Sequence, residues 1–159
     1  VHFSVRAFIT EEIKYRNLPV NRDSMVAVAN ALRKKHTSSY IAEQLYEQAK
    51  TLEKNCIIES LRTPGEVEAL KAKGNFFLFA VNAPDEIRYD RIQLRKSETD
   101  HISFETFIEN EKREMQSTDP NKQNISRCIE MADFVFDNSG SIKELEERLN
   151  QVIEDISSN

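Results

Sequence analysis

The stretch of residues 76–81, Phe-Phe-Leu-Phe-Ala-Val, constrains the fold more than any other part of the sequence. A strand with one face in water alternates apolar and polar side chains, whereas this stretch is apolar at every position. Strands of parallel sheets show such continuous runs because helices cover both faces of the sheet. We therefore expect a buried strand of a parallel sheet here.

Three further short apolar segments, at residues 1–4, 56–58 and 134–136, are also expected to form strands. The segments between them have helical spacing, and strands that alternate with helices are typical of right-handed βαβ crossovers and doubly wound sheets. The expected fold class is therefore α/β, with a parallel sheet between two layers of helices. Ligands of such sheets bind at the carboxyl ends of the strands.

Several of the expected helices have recognisable starts and apolar stripes. Thr63 and Glu66 form a candidate capping box, as do Ser141 and Glu144, and Ser103 is a candidate N-cap. Side chains at helical spacing should pack on the core. The stripes are Ile41, Leu45 and Ala49; Phe104, Phe107, Ile108 and Met115; and Leu145, Leu149, Val152 and Ile156.

Length, charge and cysteine use limit the class of protein. A chain of 159 residues is the size of one domain, so we expect a single domain over residues 1–159. The net charge is -5 with both signs scattered, so neither nucleic acid nor an anionic membrane is an expected partner. Cys56 and Cys128 fit neither a metal-ligand spacing nor a disulfide framework. Two buried thiols in a soluble, cytoplasmic protein are expected.

Charged residues follow the second expected strand directly. Glu59 and Arg62 come after Ile58 and just before the helix that Thr63 caps. A carboxylate there can orient a magnesium-bound water, and a guanidinium can hold a phosphate with two parallel hydrogen bonds. An ordinary ion pair at a strand end is the alternative, although the adjacent helix N-terminus favours an anion site.

Three arginines share one face of the helix that follows the third strand. Arg88, Arg91 and Arg95 are spaced three and four residues apart. Guanidinium groups held in place can stabilise the charge of a transferring phosphoryl group. The alternative is a solvated face that pairs with Asp85, Glu86 and Asp90. Residues 96–102 are polar and are expected to form a mobile loop that closes over a substrate.

The fourth strand is followed by the turn Asn138, Ser139 and Gly140. Such a turn can offer backbone groups to the edge of a base, but it is also an ordinary connection between a strand and a helix. Both interpretations stay open.

In this order, the segments resemble the P-loop kinases of small molecules, close to the adenylate-kinase-like and dephospho-coenzyme A kinase-like proteins. The resemblance covers nearly the whole chain. It implies ATP and Mg²⁺ as cofactors and a small phosphorylated acceptor held by Arg62. It also implies a lid at about residues 88–117, whose Arg88, Arg91 and Arg95 contact the donor phosphates.

The resemblance further places the turn Asn138, Ser139 and Gly140 beside the donor adenine. Arg6 and Arg33 fall where the acceptor-binding region of the family lies. Glu59 is implied as a catalytic carboxylate that orients magnesium through a water.

The sequence departs from this family in its phosphate-binding loop. No Gly-x-x-x-x-Gly-Lys-[Ser/Thr] motif occurs, and the three glycines of the chain cannot make one. In the family this loop follows the central strand of the order 2-3-1-4-5, and residues 1–4 resemble the second strand. We expect residues before Val1 in the native protein to supply the first strand, with a strand from a neighbouring chain as the alternative.

The leading hypothesis is an ATP-dependent kinase of a nucleotide or other small phosphorylated acceptor. A degenerate nucleotide-binding module that regulates without turnover is the second hypothesis. A structural or interaction domain with surface ion pairs is the third. The acceptor motif, Glu59 to Arg62, matches neither the Asp-Gly-x-x-Arg form of adenylate kinases nor the dephospho-coenzyme A kinase signature, so the acceptor stays open.

Overall fold

The computed structural model describes residues 1–95 and 102–158. Four strands and eight helices make up the regular structure of these residues. The strands are β1 (His2–Ser4), β2 (Ile57–Glu59), β3 (Phe79–Asn82) and β4 (Phe134–Asp137). The helices are α1 (Val5–Tyr15), α2 (Arg22–Lys35), α3 (Tyr40–Lys50), α4 (Pro64–Lys71), α5 (Asp85–Arg95), α6 (Phe104–Met115), α7 (Ile125–Glu130) and α8 (Ile142–Ser157).

The strands form two parallel pairs. β1 pairs with β2 in the register Phe3 to Ile58, and β3 pairs with β4 in the register Val81 to Phe136. Each strand is separated from its partner by helices, as parallel crossovers require. The fold is therefore α/β with parallel strands, as the sequence predicts.

Two apolar clusters support the two pairs. Helices α1, α2 and α3 pack together in the first cluster, with Phe3 and Ile58 of the strands against it. Val67 of α4, Leu78 and Cys128 of α7 form the second. Leu61 packs against both clusters, so the segment between β2 and α4 joins the two halves of the core.

The predicted caps are confirmed, and the predicted stripes are confirmed in part. Thr63 with Glu66 and Ser141 with Glu144 form complete capping boxes, and the Ser103 side chain caps α6. Ile41, Leu45 and Ala49 are buried in α3. Phe107 of α6 is fully buried. The apolar stripe of α8 lies against β4 and is half-buried.

The stretch at 76–81 differs from expectation. The strand begins at Phe79, because the backbone of Leu78 is hydrogen bonded to Asp133 instead. The backbone N–H of Leu78 donates to the Asp133 carboxylate at 2.7 Å, and the backbone N–H of Asp133 donates to the Leu78 carbonyl at 2.9 Å. Phe77 and Val81 are 50% and 56% exposed. The prediction that both faces are covered is therefore wrong for the described residues. Cys56 is also only half-buried, whereas Cys128 is buried as expected.

The predicted loop at 96–102 lies, except for Ile102, outside the described residues. In the described part of the chain, no helix combines the length and the apolar character that crossing a membrane requires.

Candidate functional site

The carboxyl ends of β3 and β4 open into a cavity of about 250 Å³. Helices α5 and α6 form its other walls. Its lining includes the amides Asn82 and Asn138 at the strand ends, Arg88 and Arg91 of α5, and Phe107 and Glu111 of α6. The cavity therefore combines two guanidinium groups with an aromatic ring and amide groups, at the edge of the sheet where ligands of parallel sheets bind.

Arg88 and Arg91 lie on one face of α5, as predicted, and both are already hydrogen bonded. Arg88 donates to Glu111 of α6 and to Asp85 of its own helix. Burial lowers the pKa of Arg88, but the hydrogen bonds to Glu111 and Asp85 outweigh burial and raise that pKa above its ordinary value. The guanidinium is thus fixed as a cation. Arg95 lies one turn beyond Arg91, at the exposed end of α5.

Arg91 holds the turn after β4. Its Nη1 donates to the Asn138 carbonyl at 2.6 Å, and its Nη2 donates to the Gly140 carbonyl at 3.3 Å. Within the turn, the Ser139 hydroxyl and backbone N–H donate to Asp137, and these bonds lower the pKa of that carboxyl. The structure therefore brings together the predicted arginine face and the predicted turn, which lie about 50 residues apart in sequence.

Glu59 ends β2 and lies among hydroxyl groups. Its carboxylate accepts hydrogen bonds from the hydroxyls of Ser4, at the end of β1, and of Ser60. Ser60 has a φ of 68°, a left-handed conformation that an L side chain adopts at a cost of about 1–2 kcal/mol. A strained residue directly after a strand, at a candidate site, is a frequent feature of functional loops.

Arg62 is positioned by the helix cap that follows it. The Glu66 carboxylate accepts from the backbone N–H of Arg62 at 2.8 Å and from that of Thr63 at 3.1 Å. The same carboxylate accepts from Arg33 at 2.8 Å. Because Glu66 is fully buried, these bonds fix the backbone of Arg62 and leave its side chain to point away from the core.

The Arg62 side chain joins a network centred on α6. It donates to Glu114 and, at 3.1 Å, to the Gln123 side chain. Glu114 also accepts from Arg22 of α2 at 2.7 Å. Glu111, one turn earlier on α6, accepts from Arg22 at 3.4 Å and from Arg88. Two glutamates of one helix thus connect three arginines that come from α2, the β2–α4 segment and α5.

Sequence reasoning missed Arg22, Glu111 and Glu114. The spacing of the two glutamates does place them on one face of α6, which was a usable signal. The partners of Glu114 are Arg62 and Arg22, which lie 52 and 92 residues away in sequence. Pairing over such distances leaves no local pattern.

Arg33 and Arg6 are the two other residues that the sequence places in the acceptor-binding region. Arg33 is 1% exposed and pairs with Glu66 inside the core. Its Nη1 is buried and has no hydrogen-bond partner in the described part of the chain. Arg6 lies half-buried in the first turn of α1. A role for either residue in acceptor binding stays a prediction.

Among the described residues, no group of three or more His, Cys, Asp or Glu side chains could hold a metal ion. Glu59 with its two hydroxyl partners offers the oxygen chemistry that suits Mg²⁺, which usually keeps several waters and takes one or two carboxylates.

No family model matches the chain. It is 29% identical over 150 residues to a UPF0200/UPF0201 protein of Archaeoglobus fulgidus, a match that covers 91% of the chain and 45% of that protein. A UPF0200 protein of Staphylothermus marinus is 26% identical over 79% of the chain and 63% of its own length. One of Methanococcus vannielii is 28% identical over 96% of the chain and 81% of its own length. The chain thus spans under two thirds of the first two relatives.

Proposed function

We propose that this chain is part of an ATP-dependent phosphotransferase that acts on a nucleotide or another small phosphorylated acceptor. The observation that carries the proposal is the meeting of guanidinium groups at the carboxyl ends of the strands. Arg62 follows β2, Arg88 and Arg91 follow β3, and the last of these holds the turn after β4. Phosphoryl transfer needs mainly positioning and charge stabilisation, which such groups supply.

The strand pairing supports the kinase-like architecture. In the kinase order 2-3-1-4-5, strands 2 and 3 lie on one side of the central strand, and strands 4 and 5 lie on the other side. The pairs β1–β2 and β3–β4 of this chain correspond to these two outer pairs. We therefore propose a three-layer fold in which a further strand lies between β2 and β3. The phosphate-binding loop that follows such a strand in P-loop kinases is not among these 159 residues.

Each residue has a role that its contacts suit. Arg62 would hold the acceptor phosphate, since its backbone is fixed by Glu66 and its side chain is 38% exposed. Arg88 and Arg91, with Arg95 further along α5, would face the transferring phosphoryl group. Bound magnesium would neutralise the donor phosphates, and Glu59 would orient one of its waters. The turn at 138–140 would offer backbone groups to the donor base.

A regulatory nucleotide-binding module without turnover is the second candidate. It is favoured by one observation, namely that Arg62 and Arg88 are already paired with Glu114 and Glu111. A site whose cations have internal partners binds anions at the cost of breaking those pairs. Binding without rapid catalysis is compatible with that arrangement.

Thermal unfolding of the full-length protein with nucleotides and Mg²⁺ tests the proposal. A ligand at about a hundred times its Kd adds about 2.7 kcal/mol of stability, which raises the Tm of a domain of this size by about 5–10 °C. We expect ATP and one monophosphate-type acceptor to raise the Tm. Arg62→Ala should abolish the acceptor shift, whereas Arg127→Ala, which removes an exposed pair with Glu130, should preserve it.

The outcomes separate the candidates. Shifts with both ligands, together with product formation, support the phosphotransferase. A shift with ATP but no product with any acceptor supports the regulatory module. A folded protein whose Tm no nucleotide changes would overturn both.

A further inference from the structure

The C-terminal half of α6 lies inside a ring of arginines. Glu111 and Glu114 project from one face of the helix, about 5–6 Å apart as neighbours at i and i+3. Arg22 contacts both, through Nη2 at 3.4 Å from Glu111 and 2.7 Å from Glu114. Arg88 and Arg62 close the ring on either side by pairing with Glu111 and Glu114. Three elements distant in sequence therefore direct cations at one short segment of α6.

Burial is unequal between the two signs of charge. The side chains of Glu111 and Glu114 are 16% and 3% exposed. The side chains that pair with them are 25–38% exposed, namely Arg22, Arg62 and Arg88. The acids are thus enclosed by the bases, and the bases keep contact with water. An anion from solvent could therefore reach the guanidinium groups from their partly exposed side.

Guanidinium groups do not distinguish strongly between a carboxylate and a phosphate. The planar fork of donors fits two oxygens of either group, and it binds both through charge-assisted hydrogen bonds. A phosphate carries more charge than a carboxylate and offers three oxygens, so one phosphate can replace contacts that here need two glutamates.

The attachment of α6 leaves this exchange open. Its aromatic contacts with α5 are in the first half of the helix, where Phe104 and Phe107 contact the ring of Tyr89. At its C-terminal end, the Met115 carbonyl accepts a hydrogen bond from the Ser126 hydroxyl of α7 at 2.8 Å, a contact that does not involve the two glutamates. Glu111 and Glu114 lie one to two turns further on. Their side chains can leave the arginines without removal of the buried Phe107 from the core.

We infer that Arg22, Arg62 and Arg88 form one binding site for a phosphoryl-bearing anion, and that Glu111 and Glu114 occupy it as a displaceable internal anion until the ligand binds. The inference deepens the proposed function and rests on it for the identity of the ligand. It adds Arg22 to the site. It also makes α6 a gate, because ligand binding releases the C-terminal half of this helix from three arginines.

Titration calorimetry at fixed ionic strength tests the inference, with inorganic tripolyphosphate and ATP, each with and without Mg²⁺, as probes. Glu114→Gln and Glu111→Gln remove the competing charge with little change of shape. Each should bind tripolyphosphate about tenfold more tightly than the unmodified protein. Glu109→Gln, an exposed position on the same helix, is the matched control and should bind as the unmodified protein does. Arg22→Ala should weaken binding at least tenfold.

The outcomes distinguish this inference from the proposed function. Tighter tripolyphosphate binding by the two variants, without any binding of ATP, supports the gated site and overturns the phosphotransferase. ATP binding of equal strength in all folded variants supports a nucleotide site and overturns the gate. No binding of either probe by any folded variant overturns both. If Glu114→Gln does not fold, as its burial allows, Glu111→Gln decides the question alone.

Discussion

Two groups of arginine–glutamate pairs that join residues far apart in sequence differ in their surroundings. Arg33 and Glu66 are 1% and 0% exposed and lie between α2 and α4. The cluster at α6, which comprises Arg22, Arg62, Arg88, Glu111 and Glu114, keeps its guanidinium groups partly in water. The first set is enclosed in the core. The second lies beyond the carboxyl ends of β2 and β3, the position at which parallel sheets generally bind ligands.

The difference lies in how each glutamate is satisfied. Both oxygens of Glu66 accept bonds that no ligand could replace, from Arg33 on one side and from two backbone N–H groups at the start of α4 on the other. Glu111 and Glu114 have arginine side chains as partners, and these can rotate to another anion. A buried pair that includes backbone groups is structural, whereas a pair of mobile side chains at a strand end can serve binding.

The largest effect should come from breaking the buried pair. Glu66→Ala leaves the Arg33 cation unpaired in the core and removes the capping box of α4, so we expect a loss of about 3–5 kcal/mol in the free energy of unfolding. Urea denaturation measures it. Glu68→Ala, at an exposed position of the same helix, is the control. Equal losses for the two variants would show that the buried pair contributes no more than a surface residue.

The Cys128 thiol reports on the surroundings of the same pair. Burial first, and then the Glu66 carboxylate, raise the pKa of Cys128 to about 12. A thiol whose pKa is higher when folded than its ordinary value of about 8.5–9 keeps its proton better in the folded state. The contribution of this thiol to the free energy of unfolding is therefore complete below about pH 9, and it is lost as the pH rises towards 12.

We expect the free energy of unfolding to fall more steeply above pH 9 than in Cys128→Ala, by at most about 1.4 kcal/mol per pH unit. Urea denaturation of both proteins between pH 8 and 11 measures the difference. Other titratable groups are the same in both proteins, so their contribution cancels in the comparison. Parallel pH profiles would contradict a protonated thiol beside Glu66.

Arg62→Ala should cost far less stability than Glu66→Ala. Arg62 is 38% exposed, and Glu114 keeps its pair with Arg22, so we expect a loss of no more than about 1 kcal/mol. Nucleotide or phosphate affinity should instead fall strongly. A loss of stability as large as that of Glu66→Ala, with unchanged anion binding, would place the α6 cluster with the structural pair and remove the contrast.

The smallest effect concerns the segment that joins the two sets. Ser60 has a left-handed φ, which glycine adopts freely, and its hydroxyl donates to Glu59. Ser60→Gly relieves the strain and loses the hydrogen bond, whereas Ser60→Ala keeps the strain and loses the bond. We therefore expect the glycine variant to be more stable than the alanine variant by about 1 kcal/mol.

Chemical denaturation of this pair of variants measures the difference. The same two substitutions at Ser24, within α2, should give the opposite order, because glycine weakens a helix relative to alanine by about 0.5–1 kcal/mol. The same order at both positions would contradict strain at Ser60.

The candidate site could be predicted in part. Arg88 and Arg91 share a face because helical spacing is a property of the local chain, and the turn at 138–140 was placed at the same sheet edge because parallel strands end together. That Arg91 donates to the carbonyls of this turn was not predictable, since the contact depends on where α5 lies relative to β4. That Glu66 covers Arg33 was not predictable either, because the two residues lie 33 positions apart on different helices.

By itself, the sequence determined the four strands to within three residues, the three helix caps and the apolar stripes. These features depend on backbone preferences and on periods of two or about four residues, so they are written in neighbouring positions. Only the tertiary structure decided which arginine is buried and which faces the sheet edge. That choice depends on Glu66, Glu111 and Glu114, which lie up to 92 residues from their partners, and pairing across such a distance is set by the packing of whole helices.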